Sequence, residues 1–421
     1  MHAVQKMLAR AAGRESVEAG DIVNCRVDFL ELNDLYLQVV RSFFEMGGKE
    51  VKAPDKVSFV FDHFSPAPTI RAAEIQKEMR EFARSQHFTH HFDIQAGICH
   101  QVMPEAGIVY PGMVLVATDS HATTHGAFGA FGTGVGATDA ATVLITGELW
   151  FKVPEVMKIE IEGRPEPGVF AKDVILHIIG TLKADAAVYQ AIEFSGAYVD
   201  RLGVSERMAI CNMAVEMGAK TAYMRPNDDV LSYVRARSSV DFVLDETDRG
   251  FVYSEEHRFD VTGLEPQLAC PSNVDNVGGI DEVAGIKIDQ AFVGSCTGGR
   301  LEDIAEVARV LDGRNIAETA RLVVIPASKE VYERAIEAGY VRTLMKAGAT
   351  LGAPGCGPCL GTHAGLLASG ETCVTSTNRN FPGRMGANDA AIYLASPALV
   401  AASAAAGVLS DPRPYYRTGE Q

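Results

Sequence analysis

Along this chain the spacing of apolar positions switches repeatedly between the two-residue period of strands and the 3.6-residue period of helices. "KVSFVFDH" (56–63) is a β-branched and aromatic run ending in Asp62-His63, and "RAAEIQKEMREFARSQ" after it keeps a helical period. "GMVLVATDSH" (112–121) predicts a second strand that ends in Asp119-Ser120-His121. "GAFGAFGTGVGATDAATVLITGELW" then reads as a glycine-rich turn feeding an apolar helix, and "HFTHHF" (87–92) as a polar helix end or loop. "KVPEVMKIEIEG" (152–163) returns to alternation and opens a new unit; "VILHIIGTLKADAAVYQAIEFSG" and "ERMAICNMAVEMGAKTAYM" supply its helical and mixed segments. "LSYVRARSSVDFVLDETDRGFVYSEEHRFDVTG" is the most charged part and predicts surface. "EPQLACPSNVDNVGGIDEVAG", rich in Pro, Gly and Asn, predicts a boundary near 265–285. Beyond it "DQAFVGSC", "ARLVVIPAS", "GATLGAPG" and "TCVTSTN" predict strands with helices between them. Alternating strand and helix is the pattern of an α/β protein.

The glycine run does not predict a dinucleotide site. Its order is Gly132-x-Gly134-x-Gly136, not GxGxxG, and "HATTHGAF" before it is not a strand. Glycines there predict close backbone approach, with free N–H groups at the following helix start that favour a carboxylate.

A length of 421 residues leaves room for two or three domains. With 47% apolar and 22% charged residues, the chain has the make-up of a globular protein with substantial cores. No apolar run reaches the ~20 residues of a membrane span. The nearest, "LASPALVAASAAAGVL", is broken by Pro397 and predicts a packed helix. The N-terminal stretch has no apolar signal region, so the expected location is cytoplasmic. A formal charge of −16 repels nucleic acid and anionic membranes, and neither is expected as a partner. Any anionic substrate must then be gathered by a local cationic pocket.

In a reducing compartment the eight cysteines are expected to be free or metal-bound. Cys25, Cys99, Cys211, Cys270 and Cys373 sit in apolar or mixed surroundings and read as small buried residues. Cys296, Cys356 and Cys359 differ, because each stands beside glycine at a strand-to-loop break. Three uses compete for the last two, in "GAPGCGPCLGTHAG" (352–365): a redox pair, half of a zinc site, or part of a cluster. Structural zinc usually wants four ligands, and a thioredoxin-like pair has no need of the distant Cys296. Three cysteines can hold a [4Fe–4S] cluster with one iron left open, although four thiolates normally close one. "STNRNFPGRMG" (376–386) sets Arg379 and Arg384 on a turn beside Asn378. Guanidinium forks match carboxylates, and iron with an arginine clamp points to a hydroxy-polycarboxylate. Asp62-His63, His100 and Asp119-Ser120-His121 are candidates for proton transfer, since a carboxylate beside imidazole fixes its tautomer and raises its pKa.

"FDHFSPAP", "GICHQVMPEAGIVYPG", "TDSHATTHGAFGAFGTGVGATDAA", "ICNMAVEMGAKT", "GSCTGGRLED", "GCGPCLG" and "STNRNFPGR" together resemble the aconitase superfamily in order and spacing across nearly the whole chain. Within it they are most like large subunits of the 3-isopropylmalate dehydratase, homoaconitase and dimethylmalate dehydratase types. The resemblance implies three aconitase-like α/β/α domains around a central cleft, over 1–155, 156–280 and 281–421, without the swivelling domain. It implies a [4Fe–4S] cluster on Cys296, Cys356 and Cys359, with one iron not ligated by protein. Asp62 and His63 would form the acid side of the chemistry. His100, Asp119, Ser120 and His121 would line the pocket, Asn212 and Glu216 would lie near the open iron, and Asn378, Arg379 and Arg384 would hold substrate carboxylates. The family's serine base lies in the swivelling domain, marked by a "YGxGSSR"-like signature that this chain lacks; "RARSSVD" (235–241) has no glycines. A separate small subunit is therefore expected to supply the base, and the chain alone is expected to be inactive. The implied activity is dehydration and rehydration of a hydroxy di- or tricarboxylate, with isopropylmalate isomerisation first, and homoaconitate or a methyl-substituted malate next. An iron–sulfur sensor or RNA-binding regulator is the alternative from another class, and a zinc hydrolase the third.

Three motifs depart from the family pattern. Gly298 replaces the asparagine of "SCTNGR", Ala122 ends "TDSHA" where "TDSHT" is usual, and "NDLY" puts Asn33 and Tyr36 in place of the residues of "HDxT". None removes a cluster ligand or a proposed acid.

Overall fold

Short apolar runs become strands of three mainly parallel sheets in the computed structural model, which describes residues 1–35 and 37–416. The first sheet has five parallel strands, in the order His90–Phe92, Val57–Val60, Phe29–Asn33, Val114–Ala117, Phe131–Gly134. Val57–Val60 and Val114–Ala117 are buried along their whole length, as parallel strands covered on both faces must be. From Phe29–Asn33 the chain winds outward to His90–Phe92, then returns to the other side of its starting strand. The winding direction thus reverses between Phe29–Asn33 and Val114–Ala117, and a crevice opens beyond their carboxyl ends.

A second sheet of four parallel strands is ordered Thr221–Tyr223, Ala191–Ser195, Val156–Glu162, Glu255–Asp260. The third has seven strands, five of them parallel: Ala391–Leu394, Thr372–Thr375, Gln290–Val293, Arg321–Val324 and Thr350–Leu351. Its winding reverses between Gln290–Val293 and Thr372–Thr375. The helix Pro397–Ala406 packs behind this sheet and is buried on nearly all sides, as its alanine-rich sequence predicts.

Two local expectations are corrected. His90–Phe92 is an edge strand and not a helix end; its half-buried histidines join by backbone pairing with Ser58–Val60, which side-chain polarity does not reveal. Gly132 and Gly134 lie in the strand Phe131–Gly134 and not in a turn, so their backbone groups belong to a sheet ladder. What glycine provides there is proximity: a Cβ on Gly132 would strike the Ala122 carbonyl and His125, and one on Gly134 the backbone of Asp119. The Pro/Gly/Asn-rich stretch near 265–285 is also structured, since Gln267–Ala269 and Val277–Gly279 extend the third sheet antiparallel. The apolar interior is continuous between sheets. One buried cluster joins Leu115 and Ala117 of the first sheet, Ile159 of the second and Phe292 of the third, and it includes Cys296, Cys356 and Cys359.

Candidate active site

Loops from the carboxyl ends of strands in the first and third sheets meet at one narrow cleft. The first sheet supplies the acid and imidazole wall. Asp34, just after Phe29–Asn33, accepts the backbone N–H groups of His63 and Phe64, both at 3.0 Å, and so fixes the loop that follows Val57–Val60. The Asp62 Oδ1 then takes the His63 Nδ1 proton at 2.6 Å, and its Oδ2 accepts the Cys99 backbone N–H at 2.9 Å. His63 Nε2 is left facing the cleft, 3.6 Å from Asp119 Oδ2. Burial disfavours the imidazolium, but the charges of Asp62 and the Cys356 sulfur outweigh it and hold the His63 pKa well above its ordinary value.

A second chain of pairs runs inward. Asp119 caps the turn after Val114–Ala117 by accepting the His121 N–H at 2.8 Å, and its Oδ1 also bonds His100 Nε2 at 2.9 Å. His100 Nδ1 lies 3.4 Å from Glu31 Oε1, and Glu31 Oε2 bonds His125 Nε2 at 3.1 Å. All three of these inner residues are fully buried. Burial opposes the charged form of His100, yet Glu31 and Asp119 raise its pKa; for His125 burial wins and lowers it. Burial alone would raise the Asp119 carboxyl, but His100 and His121 hold it well below the usual carboxylate range. His121 Nε2 bonds Glu216 Oε1 at 2.8 Å, and the same oxygen accepts Arg379 Nε at 2.8 Å.

The third sheet supplies the thiol wall. Gly294 and Ser295 follow Gln290–Val293, and Ser295 takes φ +70°, a left-handed conformation costly for a non-glycine residue, directly before Cys296. Cys356 and Cys359 ride a tight turn made possible by Gly357 (φ +57°) and Gly361 (φ +74°). That turn is tied to the opposite wall, since the Cys356 N–H donates to the Asp62 carbonyl at 2.9 Å. The amides of Asn212 and Asn378 donate to Cys296 Sγ at 3.1 and 3.3 Å. Arg384 Nη2 stands 3.7 Å from Cys359 Sγ. Burial pushes the Cys296 thiol up to about 11 and Cys356 well above its ordinary range, so a metal centre binding there must displace their protons.

The thiol geometry bears on what these residues can hold. Sulfurs around one tetrahedral zinc, each at ~2.3 Å, are about 3.8 Å apart. Among the described residues, Cys296, Cys356 and Cys359 do not form a trio with donors within 4.8 Å of one another, whereas Asp62/His63/Cys356, Glu31/His100/His125 and Cys99/His100/Asp119 do. All eight cysteines are free. Three buried thiols that border one cleft at more than single-ion spacing, with side-chain amides aimed at sulfur, fit a polynuclear centre.

The sequence-predicted residues gather with a division of place. Asp62, His63, His100, Asp119 and His121 line the cleft from one side, and Cys296, Cys356, Cys359, Asn378 and Arg384 from the other. Ser120 borders an adjoining cavity, with its Oγ 3.5 Å from His121 Nδ1. Asn212 stands behind Cys296, while Glu216 and Arg379 stand behind His121 and bond each other. Cys99, expected as a plain buried residue, is buried but borders the cleft, as does Ser295. Asp34, Glu31 and His125 went unnoticed in sequence; Glu31, an acid inside the apolar strand "FLELN", was the available signal. Of the departures, Gly298 is matched to Ser376, because a Cβ there would collide with the serine side chain. Asn33 is buried and donates its N–H to Thr118 Oγ1 at 3.1 Å, Ala122 is fully buried, and Tyr36 lies outside the described residues.

Known proteins agree with this architecture. The family model for aconitase (aconitate hydratase) matches residues 6–285 and 277–407. The chain is 51% identical over 418 residues to the probable methanogen homoaconitase large subunit of Methanothermobacter thermautotrophicus, covering 98% of each chain. It is 50% identical over 412 residues to 3-isopropylmalate dehydratase large subunit 1 of Methanopyrus kandleri, again with 98% of each covered. The holo form of aconitase X from Thermococcus kodakaraensis shares the fold, with a TM-score of 0.52 at 13% identity over 90% of this chain and 89% of that one. The chain belongs to the aconitase family. Enzymes of this family carry a [4Fe–4S] cluster.

Proposed function

We propose that this chain is the cluster-bearing large subunit of a two-subunit hydro-lyase. It would interconvert a hydroxy di- or tricarboxylate and the corresponding unsaturated acid, with 3-isopropylmalate as the first substrate and homoaconitate as the second. The observation that carries this reading is the meeting, in one cleft, of three free thiols and a carboxylate-paired imidazole. Relatives named for each of the two substrates, at 50% and 51% identity, support the pair of candidates.

Cys296, Cys356 and Cys359 hold the cluster, which when bound supplies a Lewis-acidic iron not ligated by protein. His63 serves as the acid: Asp62 fixes its Nδ1, so the proton it gives to a departing hydroxyl sits on Nε2, facing the cleft. Asp119, His100 and His121 keep that side of the cleft ordered through their hydrogen bonds. Arg384 and Asn378 receive substrate carboxylate from the thiol side, and Arg379 is oriented for the same task by Glu216. Loss of water also requires removal of a weakly acidic C–H proton, and a serine of the small subunit supplies that base. The large-subunit names of the relatives support such a partner. Among the described residues no helix is long and apolar enough to cross a membrane.

The test is anaerobic loading with iron and sulfide, followed by assay with and without a small subunit carrying the "YGxGSSR"-like signature. The expected result is no turnover by the chain alone, and formation of unsaturated acid from 3-isopropylmalate or homoaconitate by the pair. Turnover by the isolated chain, or none by a loaded pair on either substrate, contradicts the reading.

A further inference from the structure

Two cations buried behind the thiol wall make no ion pair among the described residues. Lys172, on the helix Ala171–Leu182, is 2% exposed. Its ammonium donates to the Thr377 carbonyl at 2.6 Å and the Ser376 carbonyl at 3.4 Å, and touches Met213 Sδ at 3.6 Å. Thr377 and Met213 adjoin Asn378 and Asn212, the two amides that donate to Cys296 Sγ. Arg300, also 2% exposed, donates through Nη2 to the Cys296 carbonyl and through Nε to Gln101 Oε1 at 3.2 Å, while its buried Nη1 has no partner. Both cations therefore stand one residue layer from the same sulfur.

Among the described residues, no carboxylate oxygen comes within 4.0 Å of either cationic head. The acids Glu105, Glu206, Glu302 and Glu306, which border the cavity on their other side, are thus not their ion-pair partners. Three carboxylates act on them from beyond ion-pair distance: Asp303, which accepts the Arg300 backbone N–H at 2.9 Å, acts on both, Glu216 on Lys172 and Glu302 on Arg300. Neither buried head is closed into an ion pair, and Arg300 Nη1 has no hydrogen-bond partner. Such a charge carries an effective penalty of several kcal/mol, and burial indeed pulls the Lys172 ammonium down to about 8. A neutral side chain would escape that penalty. The charge is therefore placed for an anion that the folded polypeptide does not bring into contact with it, and beside those carboxylates the groups that act on the two heads are the sulfurs: Cys296 and Cys359 on Lys172, and Cys296 on Arg300.

Building on the cluster assigned under the proposed function, we infer that Lys172 and Arg300 are positioning residues that provide the counter-charge of the cysteine-held centre. A [4Fe–4S]²⁺ core on three thiolates carries one net negative charge, and one-electron reduction makes it two. A neighbouring cation favours the more negative state, so it raises the potential and also resists oxidation of the resting cluster. Lys172 and Arg300 thereby protect a cluster whose chemistry, hydration, involves no electron transfer.

The test uses the full chain, cluster-free and cluster-loaded, with Lys172→Met, Lys172→Gln and Lys172→Arg. In a dithionite titration followed by electron paramagnetic resonance, the Met and Gln variants are expected to show a midpoint potential shifted negative. They should also bleach faster in air, and Lys172→Arg should restore both readings toward the parent. In the cluster-free chain, Lys172→Met should leave the thermal midpoint unchanged or raise it, because a buried charge without an ion pair has gone. A purely structural lysine, tying down the Thr377 carbonyl, predicts the reverse: a lower midpoint and an unchanged potential. That result, or failure of both neutral variants to fold, overturns the inference. A parent chain that takes up no iron or sulfide defeats the proposed function and this inference with it. A parent that loads normally beside neutral variants of unaltered potential defeats the counter-charge alone.

Discussion

The two walls of the cleft are built alike, as loops at the winding reversals of parallel sheets, but they differ in how complete they are. On the first-sheet side the ionisable groups already hold one another. Asp62 pairs with His63 at 2.6 Å, Asp119 with His100 at 2.9 Å, Glu216 with His121 at 2.8 Å, and Glu31 with His125 at 3.1 Å. On the third-sheet side burial holds the Cys296 and Cys356 thiols protonated at neutral pH, two buried cations lack carboxylate partners, and Ser295 keeps a strained backbone. The first wall is preorganised on folding, so it costs no rearrangement when charge develops. The second is a socket, finished only by what it binds. Proton chemistry and cofactor retention should accordingly be separable by mutation.

The largest effect belongs to the socket. Cys356→Ser should abolish both cluster uptake and turnover while the circular dichroism spectrum of the chain stays that of the parent; a normally loaded variant would break the contrast between the walls. Next comes the proposed acid. His63→Gln should lower kcat by roughly 10²–10⁴-fold in the paired enzyme with iron and sulfide content unchanged. If instead its loss empties the cluster, the walls are not independent. Glu216 holds His121 and Arg379 through one oxygen. Glu216→Gln should therefore reduce kcat/KM by about tenfold, the scale of one charge-assisted bond, mainly through KM, since the arginine is reoriented and the acid is not touched.

The smallest effect lies at the rim of the first wall. The Arg80 guanidinium bonds both oxygens of Asp93, at 2.8 and 2.6 Å, and holds its carboxyl down to about 2 from an ordinary 3.8. The folded state then binds fewer protons there than the unfolded chain, so this pair stabilises above about pH 4 and its contribution fades as pH falls toward 2. Thermal midpoints of Arg80→Ala and the parent should converge across that window, by a small amount because the pair is partly exposed.

Much of this was legible in the sequence for a physical reason: buried parallel strands are written as short apolar runs, and the reactive residues directly follow them. "KVSFVFDH" announces both a strand and the pair at its end, and "DQAFVGSC" does the same for Cys296. What stayed hidden depended on neighbours. The strand His90–Phe92 gains its place from backbone pairing at a sheet edge, and Phe131–Gly134 has two glycines that carry no side-chain preference at all. Lys172 and Arg300 look in sequence like ordinary surface charges; only the fold removes them from water and from carboxylates. The strain at Ser295 cannot be read from its type, because serine seldom takes a positive φ.

The most direct measurement is the metal and sulfide stoichiometry of the anaerobically reconstituted chain. The account predicts about four irons and four acid-labile sulfides per chain, a brown chromophore, and loss of both in Cys296→Ser as well as in Cys359→Ser. A single metal ion without sulfide, or a chromophore that survives either substitution at full iron content, would contradict it.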